Sequence, residues 1–77
     1  MKSLDLHGCT VEDVDDRVDR FLTNNSKENR VRIVTGKGTG KVKAAVIRYL
    51  KLGRYPWIHE KLGNGKDNEG VLVVILE

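Results

Sequence analysis

Residues 71–77, VLVVILE, form a nearly unbroken apolar run. A strand that lacks apolar/polar alternation is covered on both faces or lies in the interior of a sheet. The chain has 77 residues, close to the lower limit for folding on a hydrophobic core alone. One strand of this kind therefore makes a sheet the centre of the fold, with the remaining elements placed around it.

Those elements follow one another with short connections. Ser3 to His7 alternate apolar and polar with period two, as a strand does. Leu4 and Leu6 then face the core, and Asp5 and His7 share the other face. Thr10 stands at a helix N-cap with Asp13 three residues on, a weaker form of the capping box. Val11, Val14, Val18, Phe21 and Leu22 recur at helical spacing up to Asn24-Asn25. Arg30 to Val34 reads as a second strand. After a glycine-rich stretch, Val42, Ala45, Val46, Tyr49 and Leu50 give a second helix. Gly53 closes it, with Lys51 and Arg54 suited to its C-terminus. Tyr55 to Leu62 reads as a third strand, disturbed by Pro56. Residues 63–70, GNGKDNEG, read as a turn before the final strand.

The order β-α-β-α-β-β predicts an α/β fold, a two-layer sandwich of two helices on a mixed four-stranded sheet. Strands one and two are expected to be parallel neighbours joined by a right-handed crossover. Strands three and four are expected to form a hairpin. Residues 1–77 constitute one domain, with no repeat or linker.

Charge is uneven. The net charge of +3 divides into −3 over residues 1–26, +8 over 27–54 and −2 over 55–77. So basic a central segment points to a polyanion. No apolar run approaches the ~20 residues of a membrane helix, so no membrane partner is expected. The start, MKSLDLHG, lacks the apolar stretch of a signal peptide. The single cysteine, Cys9, excludes an internal disulfide and a paired-cysteine zinc site. A cytoplasmic protein with a reduced thiol is expected. Cys9 itself reads as a small buried apolar residue, and His59, Trp57 and Tyr55 as packing or surface residues.

Two motifs carry chemistry. Thr35, Gly36, Lys37, Gly38, Thr39, Gly40 and Lys41 lie between a strand and a helix. Glycines let backbone N–H groups approach an anion, a helix N-terminus adds more, and lysines add full charge. The stretch is a phosphate cradle by composition. It is not a Walker P-loop, because Val42 stands where Ser or Thr is required. Nor do its evenly spaced glycines match the dinucleotide fingerprint. Asp5 and His7 are the second motif, a carboxylate beside a group that titrates near neutrality. If strands one and two are parallel, both motifs meet at the carboxyl edge of the sheet, where open α/β folds place their sites.

The ordered set LDLHG, TVED at the first helix and VTGKG before the second resembles the Smr (small MutS-related) domain over essentially the whole chain. The resemblance implies a fold similar to the C-terminal domain of bacterial translation initiation factor three. It also implies nuclease activity, since many such domains nick DNA and some cleave mRNA at collided ribosomes. The family's L-D-x-H motif, tied to cleavage, falls on Asp5 and His7. Its T/H-G-x-G motif, tied to substrate binding or cleavage, falls on Thr35, Gly36, Lys37 and Gly38. The usual G-G-x-G-A loop before the last strand is replaced by Gly63-Asn64-Gly65 and Asn68-Glu69-Gly70.

The expected activity is an endonuclease with little sequence preference. The loop and helix N-terminus hold a phosphate, Lys37 stabilises developing charge, and His7 acts as acid or base oriented by Asp5. RNA would supply its own 2′-hydroxyl nucleophile. DNA would need water, with Asp5 helping to hold Mg²⁺ or Mn²⁺. One aspartate and one histidine make an incomplete metal site, so no tightly bound metal is expected. The alternative is a non-catalytic module that binds nucleic acid or the ribosome, and beyond it a structural interaction domain. The isolated domain is expected to be a monomer. The choice between DNA and RNA stays open.

Overall fold

The computed structural model describes residues 1–77, and its elements are β1 (Lys2–Asp5), α1 (Val11–Asn24), β2 (Arg30–Val34), α2 (Lys41–Leu52), β3 (Trp57–Lys61) and β4 (Asp67–Ile75). The sheet order is β1-β2-β4-β3. β1 and β2 are parallel, with Leu4 opposite Ile33 and Asp5 opposite Val34. β4 runs antiparallel to both β2 and β3. The expected two-layer α/β fold is therefore observed, and the apolar run occupies an interior strand.

The core lies between the sheet and both helices. Leu6 from the end of β1, Val31 and Ile33 of β2 and Leu72 and Val74 of β4 meet Val14, Val18 and Leu22 of α1 and Ala45, Val46 and Leu50 of α2. These are the positions that period two and helical spacing select. The helices are also tied by the Tyr49 hydroxyl, which donates to Asp19 Oδ1 at 2.7 Å. Both helices share this core, so the opposite face of the sheet has no helical cover. There Arg32 donates Nε to Glu60 Oε1 at 2.7 Å and Nη2 to Glu60 Oε2 at 2.9 Å. This pair joins β2 to β3 over the β4 strand between them, and Val73 of β4 is only 6% exposed. No helix is long and apolar enough to cross a membrane.

Several boundaries differ from the expectation for physical reasons. β1 stops at Asp5, two residues early. Asp5 Oδ1 accepts the His7 backbone N–H at 2.9 Å, and Gly8 adopts φ +82°, so the chain turns. Leu6 still reaches the core, with its N–H donated to the Val34 carbonyl at 2.8 Å. His7 thus stands in the turn and does not share a strand face with Asp5. Thr10 is at the N-cap, but its hydroxyl donates to Asp13 Oδ2 at 3.0 Å and caps no backbone N–H. β3 begins after Pro56, which has no N–H to donate.

The hairpin shows the largest difference. The turn is confined to Leu62–Lys66 around Asn64-Gly65, an Asn-Gly pair of the kind tight hairpins favour. The polar segment Asp67–Gly70 belongs to β4. Asp67 pairs with Lys61 and Asn68 with Glu60. The next pairing is His59 with Leu72, so Glu69, Gly70 and Val71 form a bulge. β4 also ends at Ile75, short of Glu77. At the end of α2 the left-handed residue is Arg54 (φ 59°) rather than Gly53. Gly53 makes room instead, since a Cβ there would lie 2.7 Å from the Tyr55 ring.

Candidate nucleic-acid interface at the carboxyl edge of the sheet

Parallel pairing of β1 and β2 places their carboxyl ends side by side, and the two motifs emerge together. A cleft of about 210 Å³ is lined by His7 and Gly8 on one side and by Thr35 through Lys43 on the other. The structure thus brings His7 and the whole glycine-rich loop to one opening, with Asp5 directly behind the turn that carries His7.

The loop is pinned from beneath. Thr35 is buried, and its hydroxyl donates to the carbonyls of Gly70 and Gly36. The Gly70 carbonyl also accepts the N–H groups of Thr35 at 2.8 Å and Gly36 at 3.3 Å. Thr35 and Gly36 therefore anchor the loop and do not offer these donors to a ligand. Gly36 (φ +80°) and Gly40 (φ +84°) take left-handed conformations that suit glycine. Between these bends, the N–H groups of Lys37, Gly38, Thr39 and Gly40 donate to no protein acceptor. Beyond them the Lys41 N–H meets Thr39 Oγ1 at 3.4 Å. The side chains of Lys37, Lys41 and Lys43 join this set of donors, and no acidic residue stands in the first turn of α2. Free N–H groups, a helix N-terminus and three ammonium groups make an anion cradle.

Asp5 acts on His7 through the backbone. Its carboxylate holds the His7 amide and makes no hydrogen bond or ion pair with the imidazole. Asp5 thus shapes the turn that presents His7, whereas the sequence suggested direct orientation of the ring. No group of three or more His, Cys, Asp or Glu side chains is placed to hold a metal ion. The available donors, Asp5 with one oxygen already committed and His7 in a turn, do not fit a resident divalent cation.

Two residues here were missed in the sequence. Asp67 and Glu69 line a second opening of about 280 Å³ on the other flank of the loop, with Lys37 and Lys43. Reading residues 63–70 as a turn hid them, and only the length of the hairpin would have revealed them. Lys61 donates to Asp67 and holds its carboxyl below the usual range. His59 is half-buried, edge-on to Trp57 at 5.0 Å and 3.8 Å from Asp67, and its Nε2 is buried without a partner. Trp57 and Tyr55 pack against the core as expected. Cys9 is half-buried rather than buried, with the Arg17 guanidinium against its sulfur.

Comparison with known proteins agrees with this architecture. The family model described as "Smr domain" matches residues 4–77. A protein named Endonuclease MutS2 from Exiguobacterium sibiricum is 33% identical over 76 residues, covering 96% of this chain and 10% of that protein. Another of the same name from Symbiobacterium thermophilum is 37% identical over 75 residues, covering 95% and 10%. The chain thus spans about a tenth of the length of these relatives. The crystal structure of the Smr domain of Thermus thermophilus MutS2 superposes with a TM-score of 0.83 at 29% identity, covering 100% of this chain and 99% of that one. With its motifs, topology and relatives in agreement from Leu4 to Glu77, the chain belongs to the Smr domain family.

Proposed function

We propose that this domain is an endonuclease that grips a phosphodiester in the glycine loop and cleaves it with His7. The observation that carries the reading is the cradle itself, four free loop N–H groups and three lysines opening onto the side of the cleft that holds His7. The relatives named Endonuclease MutS2 support the nuclease class.

The chemistry follows from the donors. A hydroxyl nucleophile, water on DNA or the 2′-hydroxyl on RNA, attacks phosphorus, and the bond to the leaving ester oxygen breaks. Neutral His7 takes the nucleophile's proton, and the leaving oxygen receives one from the imidazolium or from solvent. The loop N–H groups and Lys37 stabilise the extra charge on the phosphoryl oxygens, the usual work of such donors. Thr35 and Gly36 hold the loop in shape, Thr39, Gly40 and Lys41 complete the donors, and Asp5 positions His7. Phosphate contacts carry no base information, so little sequence preference is proposed. The proposed setting is the cytoplasm, the proposed partner DNA or RNA, including ribosome-bound RNA, and the acting form a monomer.

Wild type, Asp5→Ala and His7→Ala should be assayed on single-stranded, duplex and branched DNA and on RNA, with Mg²⁺, Mn²⁺ or EDTA. The expected result is cleavage by wild type that both variants lose, with binding largely kept in His7→Ala. Equal cleavage by all three refutes the site. Binding without cleavage makes the domain a binding module.

A further inference from the structure

The two flanks of the glycine loop carry opposite charge. On one side lie His7 and the free N–H groups. On the other, Asp67 and Glu69 face Lys37 and Lys43 across an opening of about 280 Å³. This second wall is held in place. The Gly70 carbonyl accepts from Thr35 and Gly36, and a Cβ on Gly70 would stand 3.2 Å from Lys37 Cγ and 3.3 Å from the Gly36 backbone. Glu69, next to Gly70, is therefore fixed beside the loop. Its carboxylate is exposed and forms no ion pair, so its charge is not neutralised. Asp67 is bonded to Lys61 and keeps its position in the hairpin.

We propose that Asp67 and Glu69 are specificity-determining residues, which close the hairpin side of the cradle to phosphates and so favour a flexible single strand over a duplex. The inference rests on the nucleic-acid reading above. A single strand can place one backbone on the His7 side and bend away from the carboxylates. A duplex carries a charge every ~1.7 Å of its axis on two backbones and is stiff over ~50 nm. It therefore brings its second backbone towards the acidic wall. Repulsion between charges within a Debye length, about 10 Å at 0.1 M salt, is only partly screened.

The test is equilibrium binding, followed by fluorescence anisotropy in EDTA at low salt, of a labelled single-stranded DNA and of its duplex. Wild type is compared with Asp67→Asn/Glu69→Gln, with Glu69→Gln alone, and with Asp15→Asn/Asp16→Asn on the exposed face of α1. The single variant breaks no hydrogen bond or ion pair, and the α1 pair removes the same charge as the double variant. The double variant should bind duplex about tenfold tighter and single strand about twofold tighter, with Glu69→Gln intermediate. The α1 control should change both by about twofold or less. Equal gains on both substrates, gains matched by the control, or no gain would overturn the wall while leaving nucleic-acid binding in place. No binding by any of the proteins would overturn the nucleic-acid reading itself.

Discussion

Gly70→Ala tests the joint between the hairpin and the glycine loop. Gly70 is buried within β4 and does not have a positive φ, so alanine can adopt its backbone conformation. The added methyl would lie 3.2 Å from Lys37 Cγ and 3.3 Å from the carbonyl carbon and oxygen of Gly36. The lysine stem can swing aside, but the Gly36 backbone is tied to the Gly70 carbonyl and must shift by a few tenths of an ångström. Overpacking of this kind costs about 1–3 kcal/mol. Replacing a strand glycine by alanine returns about 0.5–1 kcal/mol. Steric cost wins, leaving a net loss of about 1 kcal/mol and a fall in Tm of about 4–8 °C for a domain of this size. The same shift displaces the free N–H groups of residues 37–40, so affinity for a short oligonucleotide should fall as well. Thermal unfolding by circular dichroism and anisotropy on the same samples measure both. An unchanged or raised Tm with unchanged affinity would refute the argument, because the loop would then not depend on close contact with Gly70.

Two further predictions concern pH. Glu60 is held below the ordinary carboxyl value of 4.5, chiefly by its hydrogen bonds from Arg32, which outweigh burial. A depressed folded value gives a contribution that is present above about pH 4.5 and lost as pH falls through the folded value. Glu60→Gln should therefore flatten the acid limb of the stability curve measured by urea unfolding at stepped pH. Tyr49 is pushed up to about 12, first by burial and then by its bond to Asp19. The folded chain keeps this proton where the unfolded chain gives it up near 10. Its contribution is thus complete below about pH 10 and lost as pH rises towards about 12. Tyr49→Phe should show a shallower fall in the urea midpoint across that window.

The sequence by itself determined the element order, the layers and most of the core. Val14, Val18 and Leu22 on one helix, and Ala45, Val46 and Leu50 on the other, are buried as their spacing requires. The interior place of the last strand follows from its lack of polar residues. The carboxyl-edge location of both motifs follows once β1 and β2 are parallel. What only the tertiary structure decided are features that depend on partners distant in the chain. Asp67–Gly70 is polar and glycine-containing, with weak strand propensity, yet it pairs with β3 because Glu60 and Lys61 lie opposite and Asn64-Gly65 already makes the turn. Gly70 is needed for the loop 34 residues earlier, a contact that no local pattern announces. Asp5 looks like the partner of the His7 ring, but the Gly8 turn brings the backbone N–H of His7 to the carboxylate first. Local periodicity reports which face of an element is apolar. It carries no record of which bulge or turn another segment will meet, and that meeting set the shape and the charge of the cleft.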